Sequence, residues 1–168
     1  MPFDLQPTLT GSLLTLRPLR PDDFDALFAV ASDPLIWEQH PVRDRYREEV
    51  FRQYFEEGLK SGGAFVAFDL KDGRTIGSSR FHGFNEQGSE IEIGWTFLVR
   101  SCWGGAYNRE MKDLMVRHAL QFVNTVVFLV GPQNLRSQKA LGKIGAAPAG
   151  SRCDGNGRES LVYRITKS

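Results

Sequence analysis

The chain has 168 residues, 41% hydrophobic and 24% charged, a composition that fits one globular domain able to bury its own core. Its 21 basic and 20 acidic side chains leave a formal net charge of +1, so there is no overall basic excess for neutralising a nucleic-acid backbone, although Arg43, Arg45, Arg47 and Arg52 lie close enough together to form a local patch. No apolar run approaches the roughly 20 residues of a membrane helix, and "MPFDLQPTLTGS" lacks the basic and apolar regions of a signal peptide; a cytoplasmic protein with no nucleic-acid or membrane partner is the expectation.

Along the chain, "LLTLRPL" (13–19) alternates like a strand, with Pro18 at its edge or end. Asp22 or Asp23 can cap a helix carrying Phe24, Leu27 and Phe28 on one face, interrupted by Asp33-Pro34. A second helical pattern runs from 43 to 60, ended by Gly62-Gly63. Three strands follow. "AFVAFDL" meets "TIGSSRFHGF" through "KDGR", where Asp-Gly suits a tight hairpin, and "EIEIGWTFLV" (90–99) comes next. A helix over 106–123 leads to a buried strand at 126–130, then a short helix over 135–144 closed by Gly145. After the glycine-rich turn "CDGNGR", a last strand spans 159–166. The order predicts a mixed α/β domain over 1–168, with a meander first and helix crossovers second. Cys102 and Cys153 show no metal-ligand spacing, and a structural disulfide between them is not expected.

One stretch asks for a chemical reason. In "FLVRSCWGGAYNREMKDLMVRHA" a strand turns into a helix through Gly104, Gly105 and Ala106, almost without side chain. A helix N-terminus offers unpaired N–H groups and partial positive charge, and bare backbone lets an anion approach closely; a tight turn needing glycine dihedrals is the plain alternative. Neither a Walker loop nor a Rossmann glycine fingerprint is present.

The stretch from "EIGWTFLVRSCWGGAYNREMKDLMVRHAL" to "VVFLVGPQNLRSQKALGKIGA", with the opening "LLTLRPLRPDDFDALFAVASDP", resembles the Gcn5-related N-acetyltransferases (GNAT), nearest the ribosomal-protein N-terminal acetyltransferase (RimJ/RimL-like) branch. The resemblance covers most of the chain. It implies a mostly antiparallel twisted sheet splayed between the fourth and fifth predicted strands and flanked by helices. It also implies acetyl-CoA as co-substrate, its pyrophosphate in the loop and its pantetheine arm in the splay. The implied contacts are Phe97, Leu98, Val99, Arg100, Trp103, Gly104, Gly105, Ala106, Tyr107, Asn108, Arg109, Asn134 and Ser137. The loop departs from the family pattern: Trp103 replaces the basic residue, Ala106 the middle glycine and Asn108 the final small residue.

Moving an acetyl group from a thioester to an amine requires a base, an oxyanion donor and help for the departing sulfur. By resemblance Glu92 is the base, with Glu90 as the lesser candidate. Strand alternation puts Ile91, Ile93, Trp95 and Phe97 on one face and Glu90, Glu92 and Thr96 on the other. Asn134 suits a helix N-cap, and Ser137 could donate to the developing thiolate; Leu141 stands where many members of the family carry a tyrosine acid. Arg136 and Lys139 are within reach of phosphates, while His118 falls on a packing stripe. Trp37, Gln39 and His40 lie in a segment that lines the acceptor site in the family, and His82 is on a strand beside the cleft. No metal is implied. The acceptor is a peptide N-terminus or a small amine, and open sheet edges permit a homodimer. A non-catalytic CoA-sensing module, favoured by Leu141 and Asn108, is the competing reading.

Overall fold

The computed structural model describes residues 2–154 and 157–167. Among them the backbone runs β1 (Leu9–Thr10), β2 (Leu14–Pro18), α1 (Phe24–Ala31), α2 (Glu48–Ser61), β3 (Ala64–Asp69), β4 (Thr75–Asn85) and β5 (Glu90–Leu98). It continues with α3 (Ala106–Ala119), β6 (Thr125–Val130), α4 (Leu135–Lys143), β7 (Ala147–Cys153) and β8 (Glu159–Thr166). The strands form one sheet in the order β1-β2-β3-β4-β5-β6-β8-β7. All neighbours are antiparallel except β5 and β6. That one parallel pair requires a crossover, and α3 supplies it. The expected mixed α/β architecture forms.

The parallel pair is also where the sheet opens. β5 and β6 are in register only at Glu90↔Thr125, Ile91↔Val126 and Glu92↔Val127. Beyond Glu92, β5 stays with β4 (Ser78↔Phe97, Gly77↔Leu98), whereas β6 stays with β8 (Phe128↔Tyr163 to Val130↔Leu161). Each strand follows its other neighbour, and a cleft opens between them.

Two apolar clusters cover the two faces of the sheet. One joins Leu14, Leu16, Phe65, Ile91 and Ile93 to Met111 and Met115 of α3. The other joins Leu27 of α1, Phe51 and Tyr54 of α2, and Trp37 to Val66 and Phe97. Phe51 is fully buried and lies 5.2 Å from Tyr54 and 5.9 Å from Phe97, ring centre to ring centre. Truncating such a ring to alanine typically costs about 3–5 kcal/mol.

Glu110 fixes α3 against the sheet. Its Oε1 accepts from the Ser12 N–H (2.9 Å) and hydroxyl (2.8 Å), and its Oε2 from Leu13 N (2.8 Å) and Leu14 N (2.9 Å). Burial works against its charge, but these bonds outweigh it and hold the carboxyl below its ordinary pKa. Gly11 leaves the room: a Cβ there would lie 2.4 Å from the Glu110 carboxyl carbon.

The structure differs from the expectations in five places. The third helix, expected over 106–123, ends at Ala119. The second helix begins at Glu48, so Arg43, Arg45 and Arg47 precede it on the connecting segment. β1 is added at the sheet edge. β7 is also added, as an exposed edge strand that tolerates Pro148 and Gly150 because one side has no ladder to maintain. Finally, the faces of β5 do not alternate throughout, because of the bulge described below. The turn expected at 153–158 includes Gly155 and Asn156, which lie outside the described residues. No helix among the described residues is long and apolar enough to cross a membrane.

Candidate active site

Where β5 and β6 part, a cleft of about 1230 Å³ runs from the α3 N-terminus to the segment between α1 and α2. Its first end is backbone. Gly104 has φ +100° and Gly105 φ +145°, dihedrals that L side chains rarely adopt. A Cβ on either would meet nothing within 4 Å, so both open onto free space. No side chain caps α3, whose first-turn N–H groups face outward from the glycines. Asn108 and Arg109 line the cleft on that turn.

Trp103 is a clamp. Its Nε1 donates to Leu98 O (2.9 Å), and its ring carries the Arg136 guanidinium at 3.8 Å. Arg136 also donates through Nη2 to Ile36 O (3.1 Å), while Gln39 Oε1 accepts from Arg136 N (3.1 Å). A cation from α4 therefore sits beside the loop in which tryptophan replaces the family's basic residue. Asn134 caps α4 as expected, accepting from Ser137 N at 3.3 Å. Ser137 lines the cleft, and Leu141 is buried at its wall.

The middle of the cleft is the bulge in β5. Gly94 opposes Arg80 and Phe97 opposes Ser78, so Trp95 and Thr96 together face Ser79. Trp95 takes φ +53°, and its carbonyl accepts from the Tyr54 hydroxyl. The extra residue flips the strand's faces. Ile91 and Ile93 pack with α3, but Trp95 and Phe97 pack with α1 and α2, and Thr96 turns to α3. The expected shared face of Ile91, Ile93, Trp95 and Phe97 is thus corrected, as is that of Glu92 and Thr96. Neither Trp95 nor Thr96 has a residue of its own paired with it on β4.

Glu92 projects into the cleft with Ile93 and Gly94 between it and the bulge, and forms no hydrogen bond or ion pair among the described residues. Burial pushes its carboxyl up to about 7, against the pull of Arg152 and Arg80. Glu90 differs: it forms a salt bridge to Arg152 of β7 at 3.4 Å. The two candidate bases are separated by their partners.

Not every expected contact reaches the cleft. The Tyr107 hydroxyl donates to Asp69 (3.1 Å), Arg100 is ion-paired to Asp33, and Val99 packs with the α3-side core. These three lie outside the lining, and so does Ala106. Trp37 is 1% exposed and donates through Nε1 to Ala31 O (2.8 Å), so it is mainly floor. His82 is exposed, with its ring 4.9 Å from Trp95. His118 packs against Phe3, Phe81 and Phe122, as its stripe indicates.

Sequence reasoning passed over Lys112 and gave Arg45 no place at the site. Lys112 of α3 is 6% exposed, lines the cleft and donates to Thr96 Oγ1 (2.7 Å), which bonds Ser79 Oγ (2.8 Å). Burial holds its ammonium down to about 7. It shares helical spacing with Met115, Val116 and Ala119, a signal legible in the sequence. Arg45 lines the far end of the cleft, 5.7 Å from the Trp37 ring and 5.1 Å from the Tyr54 ring. Among the described residues no cluster of three or more His, Cys, Asp or Glu could hold a metal ion.

Residues 14–147 match the family described as an Acetyltransferase (GNAT) domain. The chain is similar in structure to an acetyltransferase of the GNAT family from Bacillus anthracis: 18% identity, TM-score 0.78, covering 95% of this chain and 98% of that one. A T. thermophilus protein assigned as an acetyltransferase shares 28% identity at TM-score 0.76, over 95% and 89% of the two chains. Mycobacterium smegmatis RimJ in complex with CoA-disulfide is 20% identical at TM-score 0.73, over 95% and 87%. No curated protein matches the chain in sequence.

Proposed function

Because the chain belongs to the GNAT acetyltransferase family, we propose that it moves the acetyl group of acetyl-CoA to a primary amine in a direct ternary complex, with no covalent enzyme intermediate. The observation that carries the reading is Glu92: a carboxylate with no ion pair among the described residues, pushed up to about 7, at the point where the sheet splays and on the same cleft as the glycine turn.

The residues present fit acetyl-CoA. Gly104 and Gly105 leave open space over the uncapped first turn of α3, a cradle that side chains would fill, and the α3 dipole favours a diphosphate there. Arg109 and Arg136 line the same end and add positive charge. Phe97, Leu98 and Asn134 wall the splay. Bound there, acetyl-CoA supplies an activated acyl carbon.

The chain's own groups do the rest. Glu92, charged above about pH 7, takes a proton from the acceptor ammonium and exposes the nitrogen lone pair. The backbone of the β5 bulge offers N–H donors to an oxyanion, held by strand geometry and the Tyr54 bond to Trp95. Ser137 is a hydrogen-bond donor for negative charge on sulfur. The sequence resemblance to the ribosomal-protein acetyltransferase branch keeps a protein N-terminus among the acceptors beside small amines.

The test is release of free CoA thiol on adding amines, with acetyl-CoA alone as blank. Amine-dependent release that rises through about pH 7 is expected. Binding of acetyl-CoA with no release across peptide and small-molecule amines would sink the transferase reading and leave the sensing module.

A further inference from the structure

The end of the cleft beyond Glu92 is rich in arginine, and one carboxylate, Asp154, lines it beside them. Arg45 and Arg158 line it, Arg136 reaches toward it from its seat on Trp103, and none of the three forms a salt bridge among the described residues. Glu57 and Glu38 act on Arg45 and Arg136 only from beyond ion-pair distance, and Asp154 accepts from the Arg158 backbone N–H at 2.9 Å. His40 lies among these arginines and is held neutral, first by its burial and then by Arg45, Arg158 and Arg136.

The ring's hydrogen bonds fix its tautomer. Nδ1 accepts from Val42 N at 3.1 Å, so a neutral imidazole carries its hydrogen on Nε2. That Nε2 faces Arg45 Nη1 at 3.3 Å, and guanidinium nitrogens only donate. Two donors therefore point at one another with no acceptor between them. Half-buried donors in this arrangement are satisfied when an oxygen acceptor enters. Arg45 is held by its stacking on Trp37 and Tyr54, so its fork is pre-organised for an oxyanion.

We propose that the acceptor amine carries an oxyanion, a carboxylate or a phosphate, bound between His40 Nε2–H and the Arg45 guanidinium, with Arg158 closing the site. The anion would anchor one end of the acceptor while Glu92 attends to the amine. Identification of the bound molecule as the acceptor rests on the transferase reading; the anion site stands on its own contacts.

Two measurements on the full chain test this. The first is binding, by thermal melt of the protein alone and with CoA, using glutamate against glutamine and phosphoethanolamine against ethanolamine. The acidic member of at least one pair should stabilise the protein and its neutral partner should not, and added salt should weaken the effect. The pair that responds separates carboxylate from phosphate. Arg45→Gln and the solvent-exposed Arg158→Gln should each remove the shift, and Arg45→Lys, which keeps the charge and loses the fork, should restore part of it. The second is turnover: kcat/KM should favour the acidic amine by about tenfold or more, and each arginine variant should bring that ratio toward one. Equal shifts from both members of each pair, or no shift from either acid, overturn the proposal. So does a variant that loses acetyl-CoA binding instead, because Arg45 would then belong to the cofactor. If acetyl-CoA binds but no amine is acetylated, the transferase reading fails while the melts still decide the anion site.

Discussion

The two ends of the cleft are made of different materials. At the α3 end the working surface is backbone: two glycines with positive φ and a helix turn with no side-chain cap. At the other end it is side chain: Glu92, His40 and Arg45, brought together from β5 and the segment between α1 and α2. A backbone surface binds a feature common to many ligands, a diphosphate. A side-chain surface reads what differs between them. The first suits the constant co-substrate and the second the particular acceptor.

The largest expected effect comes from the side-chain end. Glu92→Gln should lower kcat by about 100-fold or more, the usual scale for a general base, while the acetyl-CoA-induced melting shift persists. The same variant carries a stability signature. Folding raises the Glu92 pKa from 4.5 to about 7, so its contribution to stability is complete below pH 4.5 and lost as pH rises to 7. Glu92→Gln should therefore unfold at higher temperature than wild type above pH 7, with the difference vanishing near pH 4.5. An unchanged kcat would break the comparison at its centre.

The backbone end answers to Gly105→Val. A β-branched residue at φ +145° is strained, costing about 1–3 kcal/mol, and its side chain fills the open space over the helix turn. Acetyl-CoA affinity should fall about tenfold or more, whereas the melt of the protein with acidic amines should keep its shift. Trp103→Ala, which frees Arg136 and loses the bond to Leu98 O, should weaken acetyl-CoA binding less, by about 0.5–1 kcal/mol measured by titration.

The smallest effect concerns the α3 wall. Folding lowers the Lys112 pKa from 10.5 to about 7, so its contribution to stability is complete above pH 10.5 and lost as pH falls to 7. Lys112→Met replaces a buried ammonium with an apolar chain of similar length and should raise Tm at pH 7 by a few degrees, with less gain toward pH 10. A lower Tm would show that the Thr96 bond outweighs the burial of charge.

How much of this the sequence disclosed follows the same division. The glycine loop was visible because conformational need leaves glycine in place, and the Asp-Gly hairpin and Gly62 after α2 were visible for the same reason; both Gly73 and Gly62 adopt positive φ. Glu92 was found through family resemblance, and its separation from Glu90 needed β7, which supplies Arg152 from a strand whose Pro and Gly disguise it. The β5 bulge was hidden in an unbroken "EIEIGWTF", although Gly94 inside a strand was the available hint. Arg45 could be read only as one of four clustered arginines. In "RDRYREE" it is one charge among several, and only the fold sets it against Trp37, Tyr54 and His40.

The most direct test of the central claim, that this splayed cleft holds acetyl-CoA, is the melting temperature with and without excess acetyl-CoA. At about 100 times Kd, linkage adds ~2.7 kcal/mol, a rise of about 5–10 °C for a domain of this size. A saturable rise that Gly105→Val abolishes is the predicted result. An unchanged melt at millimolar acetyl-CoA would contradict the account, leaving the glycines as a turn and the cleft without its co-substrate.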